Sequence, residues 1–275
     1  MNRSTESVNP RSRDIDLKSV PEILEIINAE DQTVADAVKQ VLPEAARLVE
    51  TIVEKLSAGG RLFYVGAGTS GRIGVMDAAE CSPTYGVSCE TVVAIIAGGA
   101  PAMMRAQETA EDDAESGKSE MAAHEISAAD VVVGLSASGR TAFVAGALAE
   151  ARRRGAATAA VLCNDRGCVT RDADLVIALP TGPEVISGST RMKAATAQKM
   201  VLNMVSTAAM IRLGKVTGNF MTSMNPGNRK LRDRARFIVG NITGIPEQEA
   251  EMLLERNQYN IRMAVDEFRR KAVLK

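Results

Sequence analysis

The sequence predicts an α/β protein in which helices cover both faces of a parallel β-sheet. Five short apolar segments, rich in Val, Ile, Leu and Ala, alternate with segments of helical periodicity. Loops of glycine and hydroxyl residues stand where apolar segments end or where helices begin. Ligands of such sheets bind at the carboxyl ends of the strands, so these loops also predict a binding site. The expected strands are residues 61–65, 91–97, 130–135, 157–163 and 174–179.

The segment before the first strand is predicted to be an arm followed by helices. Residues 1–18 are polar and are expected to form an extended arm. Apolar residues then recur at helical spacing over 20–28, 33–42 and 43–56. We therefore separate an N-terminal region, residues 1–56, from the sheet.

Helices are also expected between and after the strands of the sheet region, residues 57–215. The expected helices are residues 71–80, 100–124 with a break near Gly117, 141–154 and 191–213. Ser189 or Thr190 could cap the last of these, because a hydroxyl at the N-cap accepts a hydrogen bond from a free backbone N–H group.

The chain beyond the sheet region, residues 216–275, is predicted to be a small helical bundle. A loop to Gly227 precedes short helices, which are separated near Gly240–Gly244 and at Pro246. Apolar residues at helical spacing support the bundle; they are Ala250, Leu253, Leu254, Ile261, Val265 and Phe268.

Composition narrows the class of protein. The 275 residues are 45% hydrophobic, which is enough for a sizeable core. Because 33 Lys and Arg nearly balance 34 Asp and Glu, nucleic acid and anionic membranes are not expected partners. The 4 cysteines form no CxxC pair and suit reduced thiols. With neither a signal peptide nor a membrane span in the sequence, we expect a cytoplasmic protein.

Three hydroxyl loops, the first at Gly66–Gly71, the second at Ser136–Thr141 and the third at Ser187–Thr190, together predict a phosphorylated small molecule as ligand. Glycine lets backbone N–H groups approach an anion, a helix N-terminus favours negative charge, and hydroxyls add uncharged donors. We also expect Arg140, in the second loop, to bind the phosphate. The candidate binding residues are Gly68, Thr69, Ser70, Ser136, Ser138, Arg140, Thr141, Ser187 and Ser189.

The first loop, Gly66–Gly71, also matches the GxGxxG pattern of dinucleotide sites. That interpretation requires an acidic residue at the end of the second strand, to bind the ribose hydroxyls. The second strand ends instead in Gly98-Gly99-Ala100-Pro101. A sugar phosphate is therefore better supported than a dinucleotide, and a turn without a ligand is the remaining alternative.

Carboxylates are the candidates for acid–base chemistry. Glu80 is expected at the end of the helix that follows the first loop, where the helix dipole disfavours an anion and so favours the protonated form of a proton donor. Glu111 belongs to an acidic cluster, and Glu184 stands between the last strand and the third loop. Each could equally be a solvated surface residue. The single histidine, His124, excludes a multi-histidine metal site and leaves no Ser-His-Asp nucleophile, so no metal and no cofactor are expected.

These segments together resemble the N-acetylmuramic acid 6-phosphate etherase family, whose core is a sugar isomerase (SIS) domain with a flavodoxin-like, three-layer fold. The resemblance runs nearly from end to end. It rests on Thr5–Pro10 with Ile15-Asp16, Gly66–Gly74 with Met76–Cys81, Ile96–Gly99, Ala110–Asp112, Ser136–Thr141, Gly182–Val185, Gly188–Lys193 and Lys230–Ala235.

The resemblance implies cleavage of the ether between D-lactate and C3 of the sugar, with Glu80 as the proton donor. By the same resemblance Glu111 is a second active-site glutamate, to which we assign the base role, and the loop hydroxyls hold the phosphate. Family members also look like homodimers, with sites near the subunit interface. Where the family pattern leads us to expect an acidic residue and then an amide or basic one, this chain has Ser223 and Asn225.

Two other functions stay open. A non-catalytic sugar-phosphate-binding regulator, similar to glucokinase regulatory protein, would need the loops but neither Glu80 nor Glu111. An aldose–ketose isomerase would not account for the Asp77–Cys81 segment.

Overall fold

The computed structural model describes residues 4–273 and contains one parallel sheet of five strands. All five predicted strands are confirmed. They are β1 (Leu62–Gly66), β2 (Val92–Ile96), β3 (Val131–Leu135), β4 (Ala157–Leu162) and β5 (Leu175–Ala178). Every residue of β1 and β3 is buried, as is typical of parallel strands covered on both faces.

The strand order β2-β1-β3-β4-β5 places the two earliest loops side by side. From β1 the chain first crosses to β2 on one side and then returns to β3 on the other. The register aligns the two strand ends, because Gly66 of β1 stands opposite Leu135 of β3. Such a reversal opens a crevice at the carboxyl edge of the sheet, where ligands of doubly wound folds bind.

The predicted helices are present, with shifted boundaries. Three of them precede the sheet: α1 (Val20–Asp31), α2 (Thr33–Lys39) and α3 (Leu42–Ser57). The others in and after the sheet region are α4 (Gly68–Tyr85), α5 (Pro101–Met104), α6 (Ala114–Ala123), α7 (Ala142–Arg153) and α8 (Lys193–Arg212).

Two helix predictions are wrong in detail. The helix after the first loop does not end at residue 80, since α4 continues through Pro83 to Tyr85. The 100–124 segment breaks after Met104 and again at the short 3-10 helix Glu108–Asp112, whereas Gly117 lies buried inside α6. Gly117 serves packing instead of ending a helix.

Gly117 and Gly146 let α6 and α7 approach each other closely. A Cβ atom at Gly117 would lie 2.0 Å from the Phe143 carbonyl oxygen, and one at Gly146 would lie 2.0 Å from the Ala114 carbonyl oxygen. Only glycine fits at such distances. The pair packs with Phe63 and Val132 in the main core on one face of the sheet, and α7 carries the second hydroxyl loop at its start.

The N-terminal arm is not extended as predicted. Within the described residues it forms three 3-10 turns, Ser4–Glu6, Pro10–Ser12 and Ile15–Leu17. Residues 1–3, and residues 274 and 275 at the other end, lie outside the described part.

The C-terminal helical bundle consists of α9 (Arg229–Thr243), α10 (Glu247–Arg256) and α11 (Ile261–Val273). Its core contains Ile238, Leu254 and Val265, and Phe268 packs against that core. Asn228 caps α9 through a hydrogen bond from the Leu231 amide, and Gly244 ends the helix with a positive φ of 74°. Gly240, by contrast, lies within α9.

The chain divides into two compact units. The first contains the chain up to Ala78 and Glu90–Ala209, and so includes the whole sheet; the second contains Ala79–Cys89 and the chain from Met210 onward. The division into regions 1–56, 57–215 and 216–275 stays a prediction. Among the described residues, no helix has both the length and the apolar character needed to cross a bilayer.

We predict that Gly146→Ala destabilises the protein by about 1–3 kcal/mol, because the new methyl group overpacks α7 against the α6 backbone. Gly227→Ala is the matched control, since a Cβ there meets nothing within 4 Å. Chemical denaturation followed by circular dichroism would measure both. Equal midpoints for the two variants would contradict the close helix packing.

Candidate active site

The crevice between β1 and β3 is lined by the first two hydroxyl loops. Gly68 opens α4 with a positive φ of 52°, and Ser70 follows in the first turn with a buried side chain. Thr69 beside it is half-buried. Gly71 fits because a Cβ atom there would lie 2.7 Å from Ile96, so the loop lets α4 start close to the sheet. Amides at such a helix start face the position of a bound anion.

The Ser70 hydroxyl is held in place by Gln198, a residue that the sequence analysis missed. Its hydroxyl donates to Gln198 Oε1 at 2.8 Å, and Gln198 Nε2 donates to the Val161 carbonyl at 3.3 Å. Gln198 is buried, so both ends of its amide are used inside the protein. A glutamine in the middle of a helical segment carries no sequence signal for this role.

The second loop, Ser136–Thr141, is tied together by its own hydrogen bonds. The Gly139 amide donates to Ser136 Oγ at 3.0 Å, and Ser136 Oγ lies 2.8 Å from Thr141 Oγ1. The Arg140 amide donates to Ser138 Oγ at 3.2 Å. Ser136 and Thr141 are buried, Ser138 is half-buried and the Arg140 side chain is exposed. The loop therefore presents one cation and a set of hydroxyls at the start of α7.

Glu111 reaches this loop. It lies exposed on the short 3-10 helix Glu108–Asp112, and its Oε1 accepts a hydrogen bond from Thr141 Oγ1 at 2.9 Å. Of the acidic cluster, Glu111 is the residue that the structure brings to the predicted phosphate loop. Asp113 instead caps α6 by accepting from the Ser116 amide.

Glu184 is buried, so its surface-loop alternative is excluded. Its two carboxylate oxygens accept from the Lys193 amide at 3.0 Å and the Ala194 amide at 2.9 Å. Glu184 thus caps α8, and the expected capping by Ser189 or Thr190 is replaced. Both carboxylate oxygens of Glu184 are bonded to α8, although the sequence predicts Glu184 as a substrate-binding residue.

The third loop contacts the N-terminal arm. Ser187 is exposed and donates to the Ser7 carbonyl at 3.1 Å, while the Gly188 amide donates to the Thr5 carbonyl at 3.2 Å. Ser189 is half-buried. The arm in turn reaches the carboxyl edge of β4, because the Thr5 amide donates to Asn164 Oδ1 at 3.2 Å.

Asn164 is a further residue that the sequence analysis missed. Its Nδ2 donates to Thr5 Oγ1 at 2.8 Å and to the Ser138 carbonyl at 3.1 Å, so it joins the arm to the second loop. Its position directly after a predicted strand was the signal that could have identified it.

A buried ion cluster anchors the arm to the start of α8. Glu30 pairs with Lys193 at 2.5 Å and with Arg11 at 2.5 Å, and the Glu30 and Lys193 side chains are 1% and 3% exposed. Burial alone would raise the pKa of Glu30, but the hydrogen bond and charge of Lys193, aided by Asn9 and Arg11, hold that pKa below its ordinary value. The cluster borders a cavity of about 440 Å³.

Glu80 lies exposed in the second half of α4, in the second compact unit. Because α4 continues to Tyr85, the residue does not end its helix and the dipole argument for a protonated carboxyl loses force. In the same unit Ser223 and Asn225 line a cavity of about 340 Å³ with Tyr259 and Arg262.

Of the other reactive side chains, the Cys168 thiol donates to the Gly139 carbonyl of the second loop at 3.6 Å, whereas His124 lies away from the loops. The His124 carbonyl accepts from Arg61, which precedes β1, so the histidine lies at the amino edge of the sheet. Burial raises the pKa of the Cys163 thiol to about 12, which leaves it unreactive. Among residues 4–273, no three His, Cys, Asp or Glu side chains group as a metal site.

The sequence matches two family models that overlap in the sheet region. Residues 99–208 match the SIS domain, and residues 44–152 match the glucokinase regulatory protein N-terminal SIS domain. Solved structures share the fold at low identity. The phosphoheptose isomerase from Francisella tularensis superposes with a TM-score of 0.53 at 16% identity, covering 70% of this chain and 99% of that one. The phosphoheptose isomerase from Neisseria gonorrhoeae gives 0.53 at 18% identity, with 70% and 99% covered.

Curated relatives match at much higher identity and nearly end to end. N-acetylmuramic acid 6-phosphate etherase from Clostridium beijerinckii is 48% identical, covering 96% of this chain and 87% of the relative. The protein of that name from Caldanaerobacter subterraneus is 49% identical over 95% of this chain and 85% of its own length. The one from Salmonella typhi is 47% identical, with 95% and 88% covered.

We predict that Glu30→Gln destabilises the protein by about 3–5 kcal/mol at pH 7, because it leaves Lys193 buried without its partner. The lowered pKa of Glu30 means that its carboxylate stabilises the fold above the ordinary value of 4.5, and that this contribution disappears as the pH falls through the folded-state value. The difference in unfolding free energy between wild type and variant should therefore stay constant from pH 7 to about pH 5 and narrow as the pH falls below the ordinary value of 4.5.

Urea denaturation at several pH values measures this gap. Glu25→Gln, an exposed change on the same helix, is the control and should leave no gap at any pH. A Glu30→Gln gap that stays constant down to pH 4 would contradict the ion cluster.

Proposed function

The chain belongs to the N-acetylmuramic acid 6-phosphate etherase family, and from this membership we propose that it cleaves the D-lactyl ether of N-acetylmuramic acid 6-phosphate. The products are N-acetylglucosamine 6-phosphate and D-lactate. One observation carries the proposal: relatives of that name are 47–49% identical over 95–96% of the chain. The enzyme is thus a carbon–oxygen lyase.

The reaction divides into elimination and hydration. In the open-chain sugar the C1 aldehyde acidifies the C2 proton, which a carboxylate base removes. The C3–O bond then breaks as a carboxylic acid protonates the ether oxygen, so that D-lactate leaves and a C2–C3 double bond forms. Water adds to C3 and a proton returns to C2, which restores the saturated sugar. One carboxyl group must be ionised while the other is protonated.

We assign Glu111 as the base and Glu80 as the acid. The position of Glu111 at the carboxyl edge, hydrogen-bonded to Thr141, supports the first assignment. The second rests on the match of Asp77–Glu80 to the family motif.

The phosphate is proposed to bind at the starts of α4 and α7. Gly68, Thr69 and Ser70 supply one side, and the second loop supplies the other. Its contributors are Ser136, Ser138, Arg140 and Thr141. The crevice between β1 and β3 supports this placement, because both helix starts face it. We propose Glu184, Ser187 and Ser189 as the residues that shape the rest of the substrate site, through α8 and the arm.

A regulator that binds a sugar phosphate without cleaving it is the second candidate. The match of residues 44–152 to the glucokinase regulatory protein model favours it. A regulator has no need of two carboxylates, whereas the etherase motif with both glutamates is intact here. Binding without lactate release would support the regulator.

We further propose a cytoplasmic homodimer that acts on amino sugars recovered from the cell wall. The exposed surface around α1 supports the dimer, because Leu17, Val20 and Leu24 are 81%, 69% and 61% exposed. Of the 12 residues in α1, only Glu30 is buried. A helix this short is marginal in water unless its apolar side is covered.

Purified protein should release lactate from N-acetylmuramic acid 6-phosphate, which a coupled lactate dehydrogenase assay measures. We predict that Glu80→Ala and Glu111→Gln each lower kcat by about 10²–10⁴-fold, the usual contribution of a general acid or base. Binding of N-acetylglucosamine 6-phosphate should persist in both variants.

Glu108→Gln is the matched control, since Glu108 is an exposed neighbour of Glu111 on the same 3-10 helix. Wild-type turnover in Glu80→Ala would refute the acid assignment. Absence of lactate release from the unmodified protein would refute the etherase function itself.

We predict that Leu24→Glu converts the dimer to a monomer, because it places a charge in the apolar surface of α1. Sedimentation equilibrium measures the mass, and Glu25→Gln on the same helix should leave it unchanged. A monomeric wild-type protein, or a dimer that survives Leu24→Glu, would argue against this surface.

A further inference from the structure

The hydroxyls of the second loop form a directed chain that ends on Glu111. A hydroxyl group has one proton to donate, and an ionised carboxylate can only accept. The Thr141 hydroxyl donates a hydrogen bond to Glu111 Oε1 at 2.9 Å. In the 2.8 Å contact between Thr141 and Ser136, the serine must therefore be the donor. The Gly139 amide in turn donates to Ser136 Oγ at 3.0 Å.

This chain of hydrogen bonds limits which hydroxyls can donate to a bound anion. As arranged, the protons of both Ser136 and Thr141 are committed within the protein, and neither is available to a phosphoryl group. Ser136 and Thr141 are only 2% and 4% exposed, so water has little access to replace a lost partner. An anion can accept a hydrogen bond from Thr141 only if the Thr141 hydroxyl rotates away from Glu111.

We propose that Thr141 is a positioning residue that couples occupation of the phosphate loop to the proton-accepting capacity of Glu111. When the Thr141 hydroxyl donates its hydrogen bond to a phosphoryl oxygen instead, Glu111 loses a hydrogen bond that stabilises its charged form and accepts a proton more readily. The coupling is reciprocal: when Glu111 takes up a proton, Thr141 is released to donate to the anion. The phosphate thus primes the base besides anchoring the sugar.

Rotation of one hydroxyl is enough for this exchange, because the backbone around it is fixed. The Ser136 amide donates to the Val161 carbonyl at 3.1 Å, and the Asn164 side chain donates to the Ser138 carbonyl at 3.1 Å. Ser138 is not part of this chain of hydrogen bonds, since its hydroxyl accepts a hydrogen bond from the Arg140 amide. A loop hydroxyl that could bind the anion without touching Glu111 is therefore available for comparison.

The proposal rests on the proposed function. It is tested by supplying the sugar and the phosphoryl group as two separate molecules. Unphosphorylated N-acetylmuramic acid is supplied with phosphite dianion, and lactate release is followed as phosphite is raised. We expect phosphite to accelerate the wild-type reaction to a plateau. In Thr141→Val the plateau acceleration should fall about tenfold or more, as expected for losing a hydrogen bond to a charged group. Thr141→Ser, which keeps the hydroxyl, should restore it.

Ser138→Ala distinguishes coupling from simple anion binding. It should raise the phosphite concentration needed for half-maximal acceleration while leaving the plateau in place. If Thr141→Val behaves in the same way, with weaker binding and an unchanged plateau, the coupling is wrong. The proposal is equally overturned if phosphite does not accelerate the wild-type reaction.

A binding measurement keeps the coupling testable without turnover. Calorimetric titration with sulfate at pH 5, in two buffers of different ionisation enthalpy, reports protons taken up on binding, and sulfate itself does not titrate there. Wild type and Glu108→Gln should take up a fraction of a proton and Glu111→Gln none. Thr141→Val should take up less than the wild type, because only the direct repulsion between sulfate and Glu111 remains. Equal uptake in Thr141→Val and the wild type would overturn the coupling.

Sulfate that does not bind, or that binds with no proton uptake in the wild type, would overturn the proposal. So would uptake that persists in Glu111→Gln. If the full substrate releases no lactate, the etherase function fails, while the sulfate titration still decides the coupling.

Discussion

The pairing of β1 with β3 is the constraint on which the rest of the site depends. Because β2 lies on the far side of β1, the chain reverses direction across the sheet between these two strands. Their carboxyl ends are in register, so the helix starts that follow them face one crevice. Burial on both faces leaves the strands no freedom to shift, since a slip by one residue would exchange the two buried faces. The hydrogen bonds of the first two hydroxyl loops form at these aligned strand ends.

The N-terminal arm completes the edge that the sheet begins. It is joined to the Asn164 side chain after β4, to the loop before α8, and to the Glu30–Lys193 pair. Main-chain groups of Thr5 and Ser7 make some of these contacts, and the side chains of Thr5, Arg11 and Ser12 make others, so they depend on both the path and the side chains of the arm. The arm therefore holds the second and third loops in one arrangement, although neither its polarity nor its length indicates such a role.

The sequence predicted the strands and the crevice because their signals are local. Buried parallel strands appear as continuous apolar runs, and glycine and hydroxyl loops follow them directly. What it missed depends on partners that are distant in the chain. Gly117 was interpreted as a break because α7, its packing partner, cannot be seen in one segment. The expected end of α4 at residue 80 was wrong, since the helix continues to Tyr85 with Pro83 in its last turn. Gln198 gave no signal and the capping role of Glu184 was not predicted, since their partners are a serine and two amides brought near only by folding.

The carboxylate of Glu184 at the start of α8 makes the three hydroxyl loops electrostatically unequal. The amides that begin α8 are already neutralised by an anion that belongs to the protein. At the start of α7 the anion is Glu111, whose Oε1 accepts a hydrogen bond from Thr141 Oγ1, whereas Ser70 at the start of α4 is bonded to the neutral side chain of Gln198. The starts of α7 and α8 therefore each have a carboxylate of the protein beside them. Of the three loops, the one at the start of α4 is bonded to a neutral amide and so opposes a ligand anion least.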